Sequence, residues 1–140
     1  MRALRSDRFI QAVLTALVVF DAVLVVWAFG FPQWWFQLFH TAAGASPGAV
    51  LFLRRCGGNW AAFMLFQAVA WAYWKKYPVW LVVVAGMRLG DIFTDPVYAL
   101  FAHDPTWMAK VGLPFAGAAN VVLGWFLLTC YLQRRSSDEG

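Results

Sequence analysis

The sequence predicts an all-α integral membrane protein: a four-helix bundle with both termini cytoplasmic, N-in and C-in. Three observations predict it. Four apolar stretches are each long enough to cross about 30 Å of hydrocarbon. Charged residues make up only 13% of the chain and hydrophobic residues 62%, whereas a soluble domain carries about 25% charged residues. The basic residues also fall on alternate sides of the stretches, as four crossings require. At 140 residues the chain makes one domain, 1–140. Its 13 phenylalanines and 9 tryptophans suit anchoring at membrane–water interfaces. The net charge of +4 lies mostly at segment ends, so it reads as a topology signal and not as a nucleic-acid surface. The expected partner is the lipid bilayer, with no nucleic acid.

The first span is expected over about 9–29. Arg2, Arg5 and Arg8 precede it, as basic residues precede a signal peptide. A signal h-region runs only about 7–15 residues, however, and this stretch is longer and contains Asp21; it reads as a retained helix. The second span is expected over about 49–74, opened by Ser46-Pro47. The third, over about 79–101, follows Pro78, and the fourth, over about 106–132, follows Asp104-Pro105. Proline suits a first helical turn, where its missing N–H is not needed; Asp104 is in position to cap the fourth helix.

Orientation follows from counting. Arg2, Arg5, Arg8, Lys75, Lys76, Arg134 and Arg135 collect on one side, and Lys110 stands on the other. The crowded side is expected to be cytoplasmic, and the protein is placed in the cell's inner (plasma) membrane as a multi-pass chain. The first outer loop opens FPQWWFQLFH, with five aromatics before His40 and no charge. A short interfacial helix is expected over about 31–40, serving either as an aromatic belt or as a lid over an opening between the helices. The tail, 134–140, is polar and expected to fray.

Six ionisable residues fall inside the spans: Asp21, Arg54, Arg55, Arg88, Asp91 and Asp95. Three are positive and three negative. Charges in a bilayer usually face the interior, paired or wetted, and an equal number of each sign is what a paired network needs. Counting at 1.5 Å per residue from the cytoplasmic ends puts Arg88 at about 14 Å, Asp21 and Asp91 at about 18 Å, Asn59 at about 22 Å, Asp95 at about 24 Å and Arg54 and Arg55 near 28–30 Å. Asn120 of the fourth span falls at about 18 Å. Arg88, Asp91 and Asp95 stand at i, i+3 and i+7 on one helix face, and Arg55 and Asn59 at i, i+4. The expected pairs are Arg54 or Arg55 with Asp95, and Arg88 with Asp21 or Asp91, with Asn59 and Asn120 taking the remaining donors and acceptors. Only one of the adjacent Arg54 and Arg55 is expected to face inward, since neighbours diverge by about 100°; either could instead snorkel to headgroups. Ala116, Asn120 and Gly124 form a small-polar-small stripe, and Gly57 and Gly58 flank Asn59; both patterns let helices approach. Pro96 is expected to kink or break the third span.

No HExxH, Walker loop, GxSxG or clustered metal-ligand spacing is present. His40, His103 and Asp104 fringe the outer surface without a motif, so no metal is assigned. Asp91 and Asp95 could serve as an acid–base pair, but the three arginines nearby favour keeping both charged. No catalytic residue and no cofactor are assigned. Cys56 and Cys130 are expected to lie at opposite depths, about 24 Å apart, beyond the reach of a disulfide, and so to remain free thiols.

The segments FPQWWFQLFH, RRCGGNW and RLGDIFTDP, with the chain length and four-span plan, resemble the BphX-like family of small bacterial membrane proteins; DoxX-like proteins are a looser match. The resemblance covers nearly the whole chain and implies, at most, an accessory role in handling hydrophobic compounds. It assigns no site residue. The expected function is to bind, or help move, a small and mainly apolar molecule through an outward cavity with a polar floor. The alternatives are a structural or accessory subunit whose charge network only holds the fold, and a small intramembrane enzyme using Asp91 or Asp95. A proton- or ion-coupled pathway and a partner interface are further uses of the same cluster. So short a chain would transport as a homo-oligomer.

Overall fold

The computed structural model describes residues 6–40, 45–101 and 104–138. Those residues form five helices and no strand: α1 (Asp7–Gly30), α2 (Pro32–Phe39), α3 (Pro47–Tyr73), α4 (Val79–Phe101) and α5 (Trp107–Asp138). Local chemistry sets most of the starts. The Ser6 hydroxyl accepts the Phe9 N–H at 3.3 Å, and the Ser46 hydroxyl accepts the Ala49 N–H at 3.2 Å with Pro47 in the first turn. Each satisfies an amide that the helix itself leaves without a partner.

Three local expectations need correction. The cap of α5 is Thr106, not Asp104: its hydroxyl accepts the Ala109 N–H at 3.2 Å. Asp104 stands at φ 49°, in the left-handed region, and turns the chain before the helix. Pro96 does not break α4, which runs continuously through it. A proline removes a single hydrogen bond, here to the carbonyl of the exposed Ile92, and the rest of the ladder carries the helix across. The segment expected to fray is helical through Asp138. Arg134 explains this, since it pairs with Asp7 and lies 4.5 Å over the Trp74 ring, tying the last turns of α5 to α1 and α3.

The long helices pack as two close pairs, α1 with α3 and α4 with α5, and α3 meets α4 more loosely. Glycine sets both close contacts. A Cβ on Gly57 would come within 2.7 Å of Ala28 Cβ, and one on Gly124 within 2.8 Å of Leu89 Cγ and 3.1 Å of the Ala85 carbonyl oxygen. Gly58 has open space around it, so of the two adjacent glycines only Gly57 lets α3 approach its neighbour.

At one end of the molecule the basic residues gather. Asp7 pairs with Arg134 and, at 3.3 Å, with Lys75. Just above, the α1–α3 seam carries a polar chain: Trp74 Nε1 donates to Gln11 Oε1 at 2.8 Å and Trp71 Nε1 to Thr15 Oγ1 at 2.9 Å. Next comes a dry layer built from Leu14, Leu17, Ala70, Leu81, Val84 and Leu127, all buried. The other end is covered by α2. Its Trp35 packs against Trp27 of α1 and Trp60 of α3. Its last turn is held by Thr106, whose hydroxyl donates to the Leu38 carbonyl at 2.6 Å and whose N–H donates to the Phe39 carbonyl at 3.1 Å. His40, just past α2, bonds the Tyr98 hydroxyl on α4. The short aromatic helix therefore lies across the ends of α1, α3 and α5, and His40 after it reaches α4.

Among the described residues two helices, α1 and α5, are long and apolar enough to cross a membrane, with mean hydropathy 2.5 and 1.8 over their most apolar stretches. Helix α3 carries Arg54, Arg55, Asn59 and Gln67, and α4 carries Arg88, Asp91 and Asp95; these lower both below that mark. Large apolar side chains stand exposed on every long helix, among them Phe20, Phe52, Phe93 and Phe115.

Candidate functional site

The polar cluster is assembled from four helices just above the dry layer. Its centre is Arg88 of α4, 2% exposed, with Asp21 of α1, 0% exposed. The Arg88 Nη2 and Asp21 Oδ2 form a buried ion pair. The same carboxylate oxygen accepts Gln67 Nε2 of α3 at 2.7 Å. Arg88 Nη1 reaches 3.9 Å to Asp91 Oδ2, one turn along α4. Asn120 of α5 closes the group: its Nδ2 donates to Asp91 Oδ2 at 2.8 Å, and its Oδ1 takes Arg88 Nη1 at 3.5 Å. The guanidinium lies 5.7 Å over the Phe63 ring. Burying an arginine in such company demands these partners, because a charge taken out of water is tolerated only when paired and hydrogen-bonded.

Exposure rises along α4 away from this centre. The side chain of Arg88 is 2% exposed and that of Asp91 20%; Asp95, one turn further, is half-buried. Asp95 faces α5 at Gly117, where a Cβ would meet its Oδ2 at 3.6 Å. Among the described residues it makes no ion pair and no hydrogen bond. Among the described residues, three buried polar atoms lack a partner: Asp21 Oδ1, Gln67 Oε1 and Arg88 Nε.

The structure brings together Asp21, Arg88, Asp91 and Asn120, with Asp95 at the margin, and leaves out Arg54, Arg55 and Asn59. Those three are exposed, and the expected pair of Arg54 or Arg55 with Asp95 does not form. The inward face of α3 runs through Leu53, Gly57, Gln67 and Ala70, and these polar residues lie off it. The predicted three-to-three balance therefore does not hold: one guanidinium faces three carboxylates.

Sequence reasoning missed Gln67. A lone glutamine inside FMLFQAVAW was the available signal. His103 lies outside the described residues, so the fringe of His40, His103 and Asp104 is seen only in part. Cys56 and Cys130 form no disulfide among the described residues, the first half-buried and the second buried.

A separate groove of about 300 Å³ is lined by Trp27, Trp34, Gln37 and Leu38 between the end of α1 and α2. None of these residues belongs to the polar cluster. No protein-family model matches the chain. No curated protein matches it, and no solved structure matches it.

Proposed function

We propose that this is a four-span membrane protein that binds a small, mainly apolar molecule, or helps to move one, in a cavity opening toward the α2 end. The helices α1, α3, α4 and α5 are its spans and the basic end is cytoplasmic. Two physical arguments support the membrane assignment. The exposed faces of the long helices are rich in large apolar groups, beyond what a soluble monomer leaves in water. The polar residues that lower the hydropathy of α4 point inward at Arg88 and Asp91, as costly groups do in a bilayer. Arg8, Lys75, Lys76, Arg134 and Arg135 converge at one end, which the positive-inside rule assigns to the cytoplasm. Arg54 and Arg55, exposed near the other end, reach the outer headgroups.

The observation that carries the binding reading is the rise in exposure from Asp21 through Arg88 and Asp91 to Asp95. Its lower half is buried, and the bonds among Asp21, Gln67 and Arg88 tie α1, α3 and α4 together. Its upper half, Asp91 and Asp95, is more exposed, lies toward the α2 end, and is the part a ligand would touch. The leucine and valine layer below separates the cluster from the basic end, which suits the floor of a cavity better than a segment of a continuous path.

The test is saturable binding of naphthalene-bearing probes to the purified protein in uncharged detergent, read by energy transfer from tryptophan. Neutral, anionic and cationic probes are compared. Saturation by any one of them at a fixed stoichiometry is the expected result. Linear partitioning of all three, as into empty micelles, overturns the reading. Reporter fusions at Lys76 and Ser46 test the topology separately: opposite compartments are expected, and the same compartment for both refutes four spans.

A further inference from the structure

We infer that the groove between the end of α1 and α2 is a second binding site, for a flat, uncharged ring compound that carries a carbonyl or similar hydrogen-bond acceptor. It lies apart from the polar cluster and does not rest on the cavity proposed above. The groove measures about 300 Å³, and Trp27, Trp34, Gln37 and Leu38 line it. Small-molecule sites span about 300–1,000 Å³, so this one stands at the lower end and suits a compound of one or two rings. Trp34, Gln37 and Leu38 stand at i, i+3 and i+4, one face of a helix, and Trp27 completes the lining from the last turn of α1.

Both tryptophans are braced by neighbours that are not part of the lining. The Trp27 ring meets Trp35 edge to face at 6.4 Å, and the Trp34 ring stacks on Phe31 at 5.3 Å. Helix α2 is tied at both ends. Phe31 alone joins it to α1, and Thr106 Oγ1 donates to the Leu38 carbonyl at 2.6 Å. The walls are therefore in place before a ligand arrives, which spares the cost of ordering them on binding.

The chemistry of the lining selects the occupant. Two indoles and a leucine offer apolar surface, on which another ring gains by stacking or edge contact. No lining residue is charged, so an ion would give up water without gaining a counter-charge. The polar capacity of the lining is Trp27 Nε1, Trp34 Nε1 and the Gln37 amide, and none of these bonds another described residue. An indole is a donor only, and a primary amide has two N–H donors to one acceptor oxygen. Donors are in excess, and a ligand oxygen that accepts is what matches them. A plain interfacial belt of tryptophan would instead hold lipid and show no preference among ring compounds.

The test is photolabelling of the whole chain, in phosphatidylcholine nanodiscs, with benzophenone, a neutral two-ring ketone that inserts into C–H bonds when irradiated. Labelled peptides are mapped by mass spectrometry. Labelling is expected to saturate and to fall on Trp27 and on residues 34–38. Acetylnaphthalene is expected to compete about fivefold better than isopropenylnaphthalene, which has the same shape without the carbonyl oxygen; one hydrogen bond is worth about that factor. Gln37→Leu, Trp27→Phe and Trp34→Phe each remove one donor, and the preference is expected to vanish in at least one of them. Unchanged circular dichroism checks the fold of each variant. Equal competition by the ketone and the hydrocarbon, or a preference unchanged in all three variants, overturns the inference. Labelling that never saturates, or that spreads over exposed residues such as Phe52 and Phe115, overturns it in favour of a lipid belt. Saturable labelling confined to the surroundings of Asp91 and Asp95 also overturns it while supporting the cavity, so the two readings fail separately.

Discussion

Replacing Arg88 by methionine should expose the logic of the buried centre. Methionine fills much of the arginine stem and removes only the guanidinium. Asp21 is then left at 0% exposure with one neutral donor, the Gln67 amide at 2.7 Å. Breaking a buried pair by removing one partner costs about 3–5 kcal/mol, because the remaining charge is uncompensated. Asp91 adds little to that cost, since it keeps Asn120 at 2.8 Å and is 20% exposed. The second substitution is the informative one. Asp21→Leu should destabilise the wild type but stabilise Arg88→Met by at least ~1 kcal/mol, since there it removes the stranded charge. The assay is reversible unfolding in mixed micelles, followed by circular dichroism across the four proteins of the cycle. Additive effects, with Asp21→Leu harmful in both backgrounds, would refute the claim that these two residues act as one buried pair.

Three other substitutions probe the frame around the cluster. Gly124→Ala should cost about 1–3 kcal/mol, because its Cβ meets Leu89 and the Ala85 carbonyl; Gly58→Ala, with open space around it, should be neutral or slightly stabilising in the same unfolding assay. Thr106→Val should lose about 1 kcal/mol of capping together with the bond to the Leu38 carbonyl, and amide exchange in α2 should quicken while exchange in α1 does not change. Asn59→Leu should leave stability within about 0.5 kcal/mol of wild type and probe binding unaltered, since Asn59 is exposed; a loss of binding would place it in the cavity.

Most helix boundaries were legible because hydrophobic length, Ser–Pro starts and turn residues all act locally. The aromatic segment before His40 was legible as a short helix for the same reason. The inward face of α4 was also readable, since Arg88 and Asp91 share a face by periodicity alone and their neighbours are apolar. On α3 the same reasoning failed. Arg54, Arg55 and Asn59 matched the layer in depth, but depth does not fix rotation about the helix axis, and that rotation is set by how Gly57 seats against Ala28. Gln67 was passed over because a lone glutamine in an apolar stretch carries no local sign of the distant carboxylate, Asp21 of α1, that it bonds. The cap at Thr106 and the helical tail were hidden for a related reason. Both depend on distant partners, Leu38 in one case and Asp7 with Trp74 in the other, which local sequence does not reveal.

The proposed cavity is open to the outer side at Asp95 and sealed from the basic end by the apolar layer at Leu17. With Cys56 and Cys130 replaced by alanine, single cysteines at Asp95→Cys and Leu17→Cys can be exposed to a membrane-impermeant thiol reagent, applied outside intact cells and then to inverted vesicles. The prediction is that Asp95→Cys reacts from outside only, while Leu17→Cys reacts from neither face. Labelling of Leu17→Cys from either side, or protection of Asp95→Cys from the outer side, would contradict an outward cavity floored at Arg88 and Asp21.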